Sequence, residues 1–458
     1  MQKRLFASSL ILGLIVGQTV WGADPVKLTI DDAIYKAFAT NPAVKQAGYE
    51  LSAARASMNA ARMARGITIT GSLNWDKNGT TADRYSFSGA DAYSQTYGRS
   101  RTEGISASIP IYTGGEYRGN LITQKANYQS ALSGKQKAYN DMHYKVVSDY
   151  YNCLLTQDLE QVAKDSVDTL ASHLKNVQAS YDVGVVAKVD VLRSEVELAD
   201  AQQSLIKAEN ARKIAVHTLN KTIGLPLETE LDLIDSLVND EYDRDLASCL
   251  EYAELNRPDL EQSRQGVRAA KGGVRSARSG YMPKISVTAS KQWKYISQSG
   301  GSHEPQKNNT WDAGINATWT AFDSGVTAFR VHAAEMKARI AKEQLRDNEN
   351  AVALDVRNTY YNMQESQRRI HTTNVAVSKA QEDFDIAQLR YQNGVGTNTD
   401  VLDAQVALNK AKTNYIQACY DFNTNKIALD NAIGVPYKSP LEEKTVKAVK
   451  VKKVKKAK

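Results

Sequence analysis

The chain has 458 residues, of which 42% are hydrophobic and 24% are charged, and its formal net charge is +7. This composition excludes a polytopic helical membrane protein, which needs several apolar runs of about 20 residues, and it excludes an intrinsically disordered chain. Eight lysines lie in the last fifteen residues, so the positive charge does not indicate a basic folded surface for nucleic acid, and no nucleic-acid partner is predicted.

The N-terminus, residues 1–22, has the pattern of a secretory signal peptide. Two basic residues, Lys3 and Arg4, precede an apolar run at residues 10–17, and cleavage is predicted before Ala23. The apolar run is too short to be a membrane-spanning helix. The sequence therefore predicts that the mature chain is exported.

The remaining sequence is an internal duplication. The residues Tyr-Tyr-Asn at 150–152 recur at 360–362, and Ile-Gly-Leu-Pro at 223–226 recurs as Ile-Gly-Val-Pro at 433–436, each 210 positions later. Motifs repeated in the same order at one spacing indicate two copies of a structural unit. We predict a first structural repeat at residues 23–226, an inter-repeat linker at 227–244, a second repeat at 245–436 and a lysine-rich, disordered tail at 437–458.

Each predicted repeat begins with an alanine-rich helical segment, at residues 31–64 and 245–279. Two strands follow in each repeat, because polar and apolar residues alternate there with a period of two. The predicted strands cover residues 67–75, 105–111, 285–295 and 311–320. The segments between the paired strands, 76–102 and 297–310, are rich in Ser, Gly, Tyr and Asn and are predicted to be surface loops.

A very long helical stretch completes each repeat. No proline occurs in residues 111–225 or 306–435, and residues 117–181 alone, if continuous, would form a helix roughly 100 Å long. Gly184 ends this helical pattern, and a second helical run begins at Asp190. Each repeat therefore predicts a long helical hairpin with a tight turn at its tip.

Alternating strands with aromatic residues near their ends are typical of a transmembrane β-barrel, in which lipid-facing and lumen-facing side chains alternate. Four amphipathic strands of a soluble sandwich are the alternative. Four strands cannot close a barrel, and an open sheet edge is not tolerated in lipid, so a barrel requires several chains. The predicted fold class is mainly α with a membrane β-barrel part.

The tip of each hairpin carries the motif Tyr-x-x-Gly-x-x-x-x-x-Asp-Val-Leu, at residues 181–192 and in register at 391–402. Together with the signal peptide and the duplicated helix, strand pair and hairpin, this motif resembles the TolC-like outer-membrane efflux factors. The resemblance implies duplicated helical hairpins that form a trimeric α-barrel, and four strands per chain of a twelve-stranded barrel. It also implies a location in the cell outer membrane with an extension into the periplasm.

The resemblance further implies partners and a function. The expected function is a homotrimeric channel-tunnel, surrounded by outer-membrane lipid, for efflux of small molecules or type I protein secretion. The expected partners are a periplasmic adaptor protein and an energised inner-membrane transporter of the RND or ABC type. A structural outer-membrane tether and a passive pore without gated export are the alternatives.

By motif position, the resemblance implies a gate at the periplasmic helix tips. Asp400 and Asp403 would form a gate ring, and Asp190 and Tyr391 would belong to the network that holds the tip closed. Three copies of an acidic residue around one axis would attract cations. Because Asp190 and Asp400 stand at the start of helical runs, helix capping is an alternative role for both.

Gly184 and Gly394 are predicted tip turns, because such turns need an unhindered or left-handed residue. The family pattern has a basic residue two positions after the second of these glycines, where this chain has Gly396. Lys188 is the candidate substitute for that basic residue.

Catalytic and cofactor-binding motifs are absent from the sequence. The six histidines are scattered without metal-ligand spacing, and neither a P-loop nor a G-x-S-x-G elbow occurs. We therefore predict no enzyme activity, no cofactor and no metal site. Cys153, Cys249 and Cys419 lie in helical patterns and are predicted to be packed side chains and not a disulfide framework.

Overall fold

The computed structural model describes residues 25–84, 92–236, 242, 244–299 and 306–438. The predicted signal peptide lies outside the described residues, as does the predicted tail from residue 439 onward.

The elements follow one another in the same order in the two halves of the chain, as the duplication predicts. The first half contains β1 (Val26–Leu28), α1 (Ile30–Thr40), α2 (Pro42–Met63), β2 (Thr68–Arg84), β3 (Ala92–Tyr112), α3 (Glu116–Asp182) and α4 (Lys188–Ile223). The second half contains β4 (Leu231–Leu233), α5 (Leu246–Asn256), α6 (Pro258–Arg278), β5 (Lys284–Ser299), β6 (Gln306–Thr318), α7 (Val326–Gln392) and α8 (Asn398–Ala432), with one 3₁₀ turn at Ser279–Tyr281.

The long helical hairpins are present in both halves. The helices α3 and α7 each contain 67 residues, so each is about 100 Å long. The returning helices, α4 and α8, contain 36 and 35 residues. The predicted mainly helical fold with a separate sheet is therefore confirmed.

The predicted helical segments 31–64 and 245–279 are each two helices, which corrects the sequence prediction. A proline occupies the first position of the second helix in both cases, at Pro42 and Pro258. Proline is accepted there because the first amide of a helix has no intrahelical partner. The side chain of Asn41 caps the new helix α2 by accepting a hydrogen bond of 2.9 Å from Ala43 N.

The four long strands form one antiparallel sheet in the order β2-β3-β5-β6. The two repeats meet between β3 and β5, where Ala107 lies opposite Ala289, and β2 and β6 are the edge strands. The hairpins extend into the predicted loops, since Asp76 pairs with Ser100 and β5 continues to Ser299. The loop prediction was wrong there because ladder hydrogen bonds use only backbone groups and do not need an apolar face.

A second, two-stranded parallel sheet joins the start of the described chain to the predicted linker, where β1 pairs with β4. Leu28 in β1 is fully buried, and its carbonyl oxygen accepts a hydrogen bond of 2.9 Å from the hydroxyl of Tyr150. Strands of three residues carry no periodic signal, so sequence reasoning missed both.

Two hydrophobic clusters pack where the hairpins meet the short helices, one around Tyr150 and Ile223 and the other around Phe422 and Ile433. Tyr437, the first residue of the predicted disordered tail, belongs to the first cluster. Its ring centroid lies 5.4 Å from that of Phe38. The predicted start of the tail is therefore wrong, because an aromatic ring that packs in the core is ordered.

All three cysteines are buried and free, as predicted. Among the described helices, none has a segment that is both long and apolar enough to cross a membrane.

Candidate functional site at the helical tips

Both hairpins turn at a glycine with a left-handed backbone. Gly184 has φ +80° and donates its N–H to Tyr181 O at 2.8 Å, and Gly394 has φ +73° and donates to Tyr391 O at 3.0 Å. A Cβ atom built at either glycine would meet no other heavy atom within 4 Å. The backbone conformation, and not crowding, is therefore what favours glycine at both tips.

Asp400 takes part in a capping box at the start of α8. Asp400 N donates to Thr397 Oγ1 at 3.1 Å, and Thr397 N donates to Asp400 Oδ2 at 3.0 Å. Thr397 is the N-cap, so Asp400 contributes to capping from the third helical position. The hydrogen bonds with Thr397, and more weakly the charge of Arg390, hold the pKa of the exposed Asp400 carboxyl below its usual value.

Asp190 stands at the equivalent position of α4 but has no capping box, because the N-cap there is Ala187, which offers no side-chain acceptor. The Asp190 carboxylate is half-buried and lies close to Tyr391 on α7. Burial raises the pKa of the Tyr391 phenol, and the negative charge of Asp190 raises it further. The structure thus brings these two predicted network residues together.

Asp403 is exposed, and no hydrogen bond or ion pair joins it to the described part of the chain. It follows Asp400 by three residues in α8, so the two carboxylates project from the same helical face. Helix capping therefore does not explain why the residue at position 403 is acidic.

A buried set of polar side chains connects three of the four long helices at this end. We call this set the tip cluster: His173 on α3, Ser194 on α4 and Asn398, the first residue of α8, with exposed fractions of 6%, 1% and 3%. Asn398 Nδ2 donates to Asp190 O at 3.1 Å and to Ser194 Oγ at 3.2 Å. Asn398 Oδ1 lies 2.6 Å from His173 Nε2. One amide therefore joins both hairpins.

The hydrogen bonds of Asn398 define which ring nitrogen of His173 carries a proton. Because the Asn398 amide nitrogen donates to α4, its oxygen is the acceptor for His173, and His173 Nε2 must carry a proton. Burial lowers the pKa of His173 below its ordinary value of 6.5, and the hydrogen bond with Asn398 opposes that effect in part. The imidazole in the tip cluster is therefore neutral at neutral pH.

Tyr391, on α7, also contacts the tip cluster. Its ring centroid lies 5.3 Å from that of His173, at an interplanar angle of 57°. The Tyr391 hydroxyl is buried and has no hydrogen-bond partner among the described residues. A buried hydroxyl without a hydrogen-bond partner is unfavourable, so this contact is stabilised by the packing of the ring and not by the hydroxyl.

The family pattern has a basic residue where this chain has Gly396, and Lys188 is the predicted substitute for it. The contacts of the described residues do not support that role. Lys188 is exposed and forms no ion pair there. A Cβ atom at Gly396 would come within 3.0 Å of Tyr391 N, so a side chain would require the turn to shift. The charged contact across the tips is instead made by Arg193, whose guanidinium donates to Thr399 Oγ1 at 2.9 Å.

Sequence reasoning missed the tip cluster, although the duplication carried a signal for it. The 210-residue spacing matches His173 with Asp383, Ser194 with Ala404 and Lys188 with Asn398. The repeats therefore differ at each cluster position. Such differences identify where the two hairpins have been made unlike, but not which residues they contact.

The described residues contain no group of three or more His, Cys, Asp or Glu side chains that could hold a metal ion.

Comparison with known proteins identifies the relatives of this fold. The family model described as "Outer membrane efflux protein" matches residues 33–225 and 249–435. Outer membrane protein TolC of Escherichia coli (strain K12) is 24% identical over 295 residues, which is 62% of this chain and 59% of TolC. The alkaline protease secretion protein AprF of Pseudomonas aeruginosa is 24% identical over 74% of this chain and 70% of AprF. The aligned region thus spans less than two thirds of TolC.

Solved structures show the same fold. The outer membrane protein VceC of Vibrio cholerae superposes with a TM-score of 0.73 at 17% identity, over 88% of this chain and 96% of VceC. The matches confirm the family resemblance that the tip motifs predict. Since the matched family consists of efflux proteins, they also confirm that the chain is not an enzyme.

Proposed function

The chain belongs to the outer membrane efflux protein family, and from that premise we propose that it is one subunit of a trimeric export channel. The three sheets would close into one barrel in the outer membrane, and the long helices would continue the conduit through the periplasm. Relatives named as outer-membrane proteins support this location.

The observation that carries the proposal is the open sheet. Strands β2 and β6 are its edges, and neither has a second strand partner in the described chain. In a bilayer an unpaired edge costs several kcal/mol for each unsatisfied backbone group, so other copies must pair with it. Three copies would supply twelve strands, which leave an open lumen, whereas a barrel of about eight strands is filled by its side chains.

The two faces of the sheet support a membrane location. Large apolar side chains on one face stay exposed, with exposed fractions of 70% for Leu73 and 76% for Ile315. Their neighbours Ser72 and Asn316, which point to the other face, are polar. A soluble sandwich would bury the apolar face against another layer, and the described chain contains no such layer over these residues.

The energy for export would come from partners. No nucleotide-binding motif occurs in the sequence, so a periplasmic adaptor would couple the conduit to an inner-membrane transporter. The named relatives serve different cargoes: AprF is named for protease secretion and SrpC of Pseudomonas putida for solvent efflux. We propose that the same conduit here exports small molecules or polypeptides, and that the transporter selects the cargo.

The tips would form the gate. Asp400 and Asp403 project from one exposed face of α8, and three copies would form a ring of six carboxylates around the entrance. Asp190, Tyr391 and the tip cluster would hold the two hairpins of each subunit together while the gate is closed. Opening would separate α7 and α8 from α3 and α4 at this contact.

Single-channel recording of the purified protein in planar bilayers tests the proposal, combined with cross-linking to count subunits. An export channel is expected to be trimeric and mostly closed at rest, with conductance that rises when the tips are loosened. A tether would give no conductance, and a passive pore would conduct fully without any change at the tips. A monomer that remains in the aqueous phase would contradict the channel proposal itself.

A further inference from the structure

A large cavity lies where the sheet joins the helices. Its volume is about 610 Å³, and we call it the junction pocket. The end of α2, the last residues of β3, the first turn of α3 and the end of α6 surround it. None of the residues of the proposed gate lines it, since the tips lie at the far end of the hairpins.

The lining of the junction pocket is strongly basic. It includes four arginines, Arg65, Arg118, Arg275 and Arg278, and one acidic residue, Glu116. Glu116 is neutralised by Lys284, whose Nζ lies 2.6 Å from its carboxylate, and Arg278 is paired with Glu335 at 2.7 Å. Arg65, Arg118 and Arg275 form no ion pair within the described ranges.

The first turn of α3 adds to this positive potential. The helix begins after Gly115, which has φ +100°. Glu116 N donates to Thr113 O at 3.1 Å and Tyr117 N donates to Thr113 Oγ1 at 3.2 Å, so these two amides are already bonded and the contribution of this turn is the positive end of the helix dipole. The guanidinium of Arg275 lies above this turn, with Nε 4.0 Å from the position of a Cβ atom at Gly115. Helix N-termini favour anions.

The pocket is also continuous with the apolar face of the sheet. Ile111 and Met282 line it and are 53% and 50% exposed. Ile111 lies at the register shift between β3 and β5, and the next residue, Tyr112, lines the pocket and lies opposite Ile285 of the apolar face. At the same end of the sheet Trp319 and Phe322 are 62% and 83% exposed. Exposed aromatic residues at one level are typical of a membrane–water interface.

The spacing between two exposed tryptophans agrees with a position at the membrane–water interface. Trp311 lies in β6 and Trp319 directly follows its last residue, Thr318; eight residues of extended chain span about 27 Å. The apolar band of an outer-membrane barrel is about 25 Å tall. In the proposed orientation, the junction pocket therefore lies at the boundary of the periplasmic leaflet.

We propose that the junction pocket binds the headgroup of an anionic phospholipid of the periplasmic leaflet, with the acyl chains against the apolar face of the sheet. The inference rests on the proposed membrane function. Arg65, Arg118 and Arg275 bind the phosphate and the negatively charged headgroup, because planar guanidinium groups suit phosphate oxygens. Ile111 and Met282 contact the first carbons of the acyl chains. Each subunit carries one such site.

Native mass spectrometry of the detergent-purified protein tests the inference with phosphatidylglycerol, phosphatidylcholine and inorganic phosphate as probes. The unaltered protein is expected to retain one phosphatidylglycerol per subunit in preference to phosphatidylcholine. The triple variant R65Q, R118Q and R275Q is expected to lose about 100-fold in affinity, since each basic residue near an anionic lipid contributes about fivefold.

Two further variants control for folding and for charge. The triple variant R55Q, K125Q and R268Q removes three exposed positive charges from α2, α3 and α6 outside the pocket and is expected to bind lipid normally. The triple variant R65K, R118K and R275K keeps the charge but loses the planar guanidinium groups, so it is expected to lose affinity, but less than the glutamine variant does.

Three results would overturn the inference: equal retention of phosphatidylglycerol and phosphatidylcholine, an equal loss in both glutamine variants, or full displacement of the lipid by inorganic phosphate. The last result would indicate a simple anion site. A protein that conducts in planar bilayers but shows no lipid preference would contradict only this inference. A protein that never enters a bilayer would contradict the proposed function.

Discussion

His173 and Asn398 are 225 positions apart in the sequence, yet His173 Nε2 lies 2.6 Å from Asn398 Oδ1. Both side chains are almost completely buried, and they belong to different repeats. This hydrogen bond and those of Asn398 with α4 fasten the returning helix of the second hairpin to both helices of the first. The contact between the hairpins at the tips is therefore carried mainly by neutral groups.

Replacing Asn398 with alanine is expected to loosen the tips. The change leaves the buried His173 Nε2–H without its acceptor, which costs about 1–3 kcal/mol. We expect a lower apparent melting temperature, faster proteolysis near residues 183–187 and 393–397, and a larger open fraction in single-channel recordings. The control is Asn393→Ala, because Asn393 is exposed and its side chain bonds only within its own helix, to Leu389 O. Equal effects of the two variants would contradict a special role for Asn398.

Alanine at either tip glycine is expected to destabilise the protein modestly. Gly394→Ala forces a residue with a Cβ atom to adopt φ +73°, at a cost of about 1 kcal/mol, and Gly184→Ala has the same effect at φ +80°. Gly266→Ala in α6 provides the comparison, since the site has open space and a helical backbone. Alanine there is expected to raise the apparent melting temperature, because it favours helix over glycine. Stabilisation by alanine at residue 394 would contradict this account.

Adjacent residues of β6 are expected to respond oppositely to a new charge. Ile315→Lys places a lysine on the apolar, 76% exposed face and is expected to cost about 2–4 kcal/mol at the middle of a bilayer. Asn316→Lys places the same charge on the opposite, polar face and is expected to be tolerated. The measurement is the yield of folded protein in the outer-membrane fraction. Equal yields would argue against lipid contact at Ile315.

Removal of the proposed carboxylate ring is expected to reduce cation preference. The double variant D400N and D403N removes six charges from a trimer, and the reversal potential across a salt gradient measures the change in selectivity. Asp400 also caps α8, so Thr397→Ala is the matched control, because it breaks the capping box and keeps the charge. If Thr397→Ala shifts the reversal potential as much as the double variant does, capping and not charge controls the entrance.

The stability of the protein is expected to decrease as the pH falls, and His143 is the group responsible. Burial against the ring of Tyr437, with ring centroids 4.0 Å apart, lowers the pKa of His143 from 6.5 to about 4. The unfolded chain therefore binds the proton more readily than the folded one, so this contribution is complete above pH 6.5 and is lost as the pH falls to about 4. After allowance for partial exposure it amounts to about 2 kcal/mol.

The variant His143→Gln cannot titrate at this position and serves as the comparison. Its apparent melting temperature is expected to fall less between pH 7 and pH 4 than that of the unaltered protein. Parallel curves for the two proteins would show that His143 is not the group responsible.

Much of the fold could be predicted from the sequence, because the patterns involved are long. The long helices α3 and α7 contain 67 residues each without a proline, and the four strands alternate in polarity. Patterns of this length are compatible with few other secondary structures. The breaks at Pro42 and Pro258 were missed because both flanking segments are equally helical in composition. The strand extensions beyond Trp75 and Tyr295 were missed because polar residues occupy both faces there.

The sequence by itself determined the hairpins, the turns at Gly184 and Gly394 and the amphipathic strands, since each depends on neighbours within a few residues. It also determined the duplication, which is visible when the sequence is compared with itself. Only the tertiary structure decided what meets at the tips and at the end of the sheet. His173, Ser194 and Asn398 are ordinary helix-surface residues until α3, α4 and α8 pack together, and the arginines of the junction pocket come from three separate segments. Such contacts depend on how rigid helices cross, and no local pattern encodes that geometry.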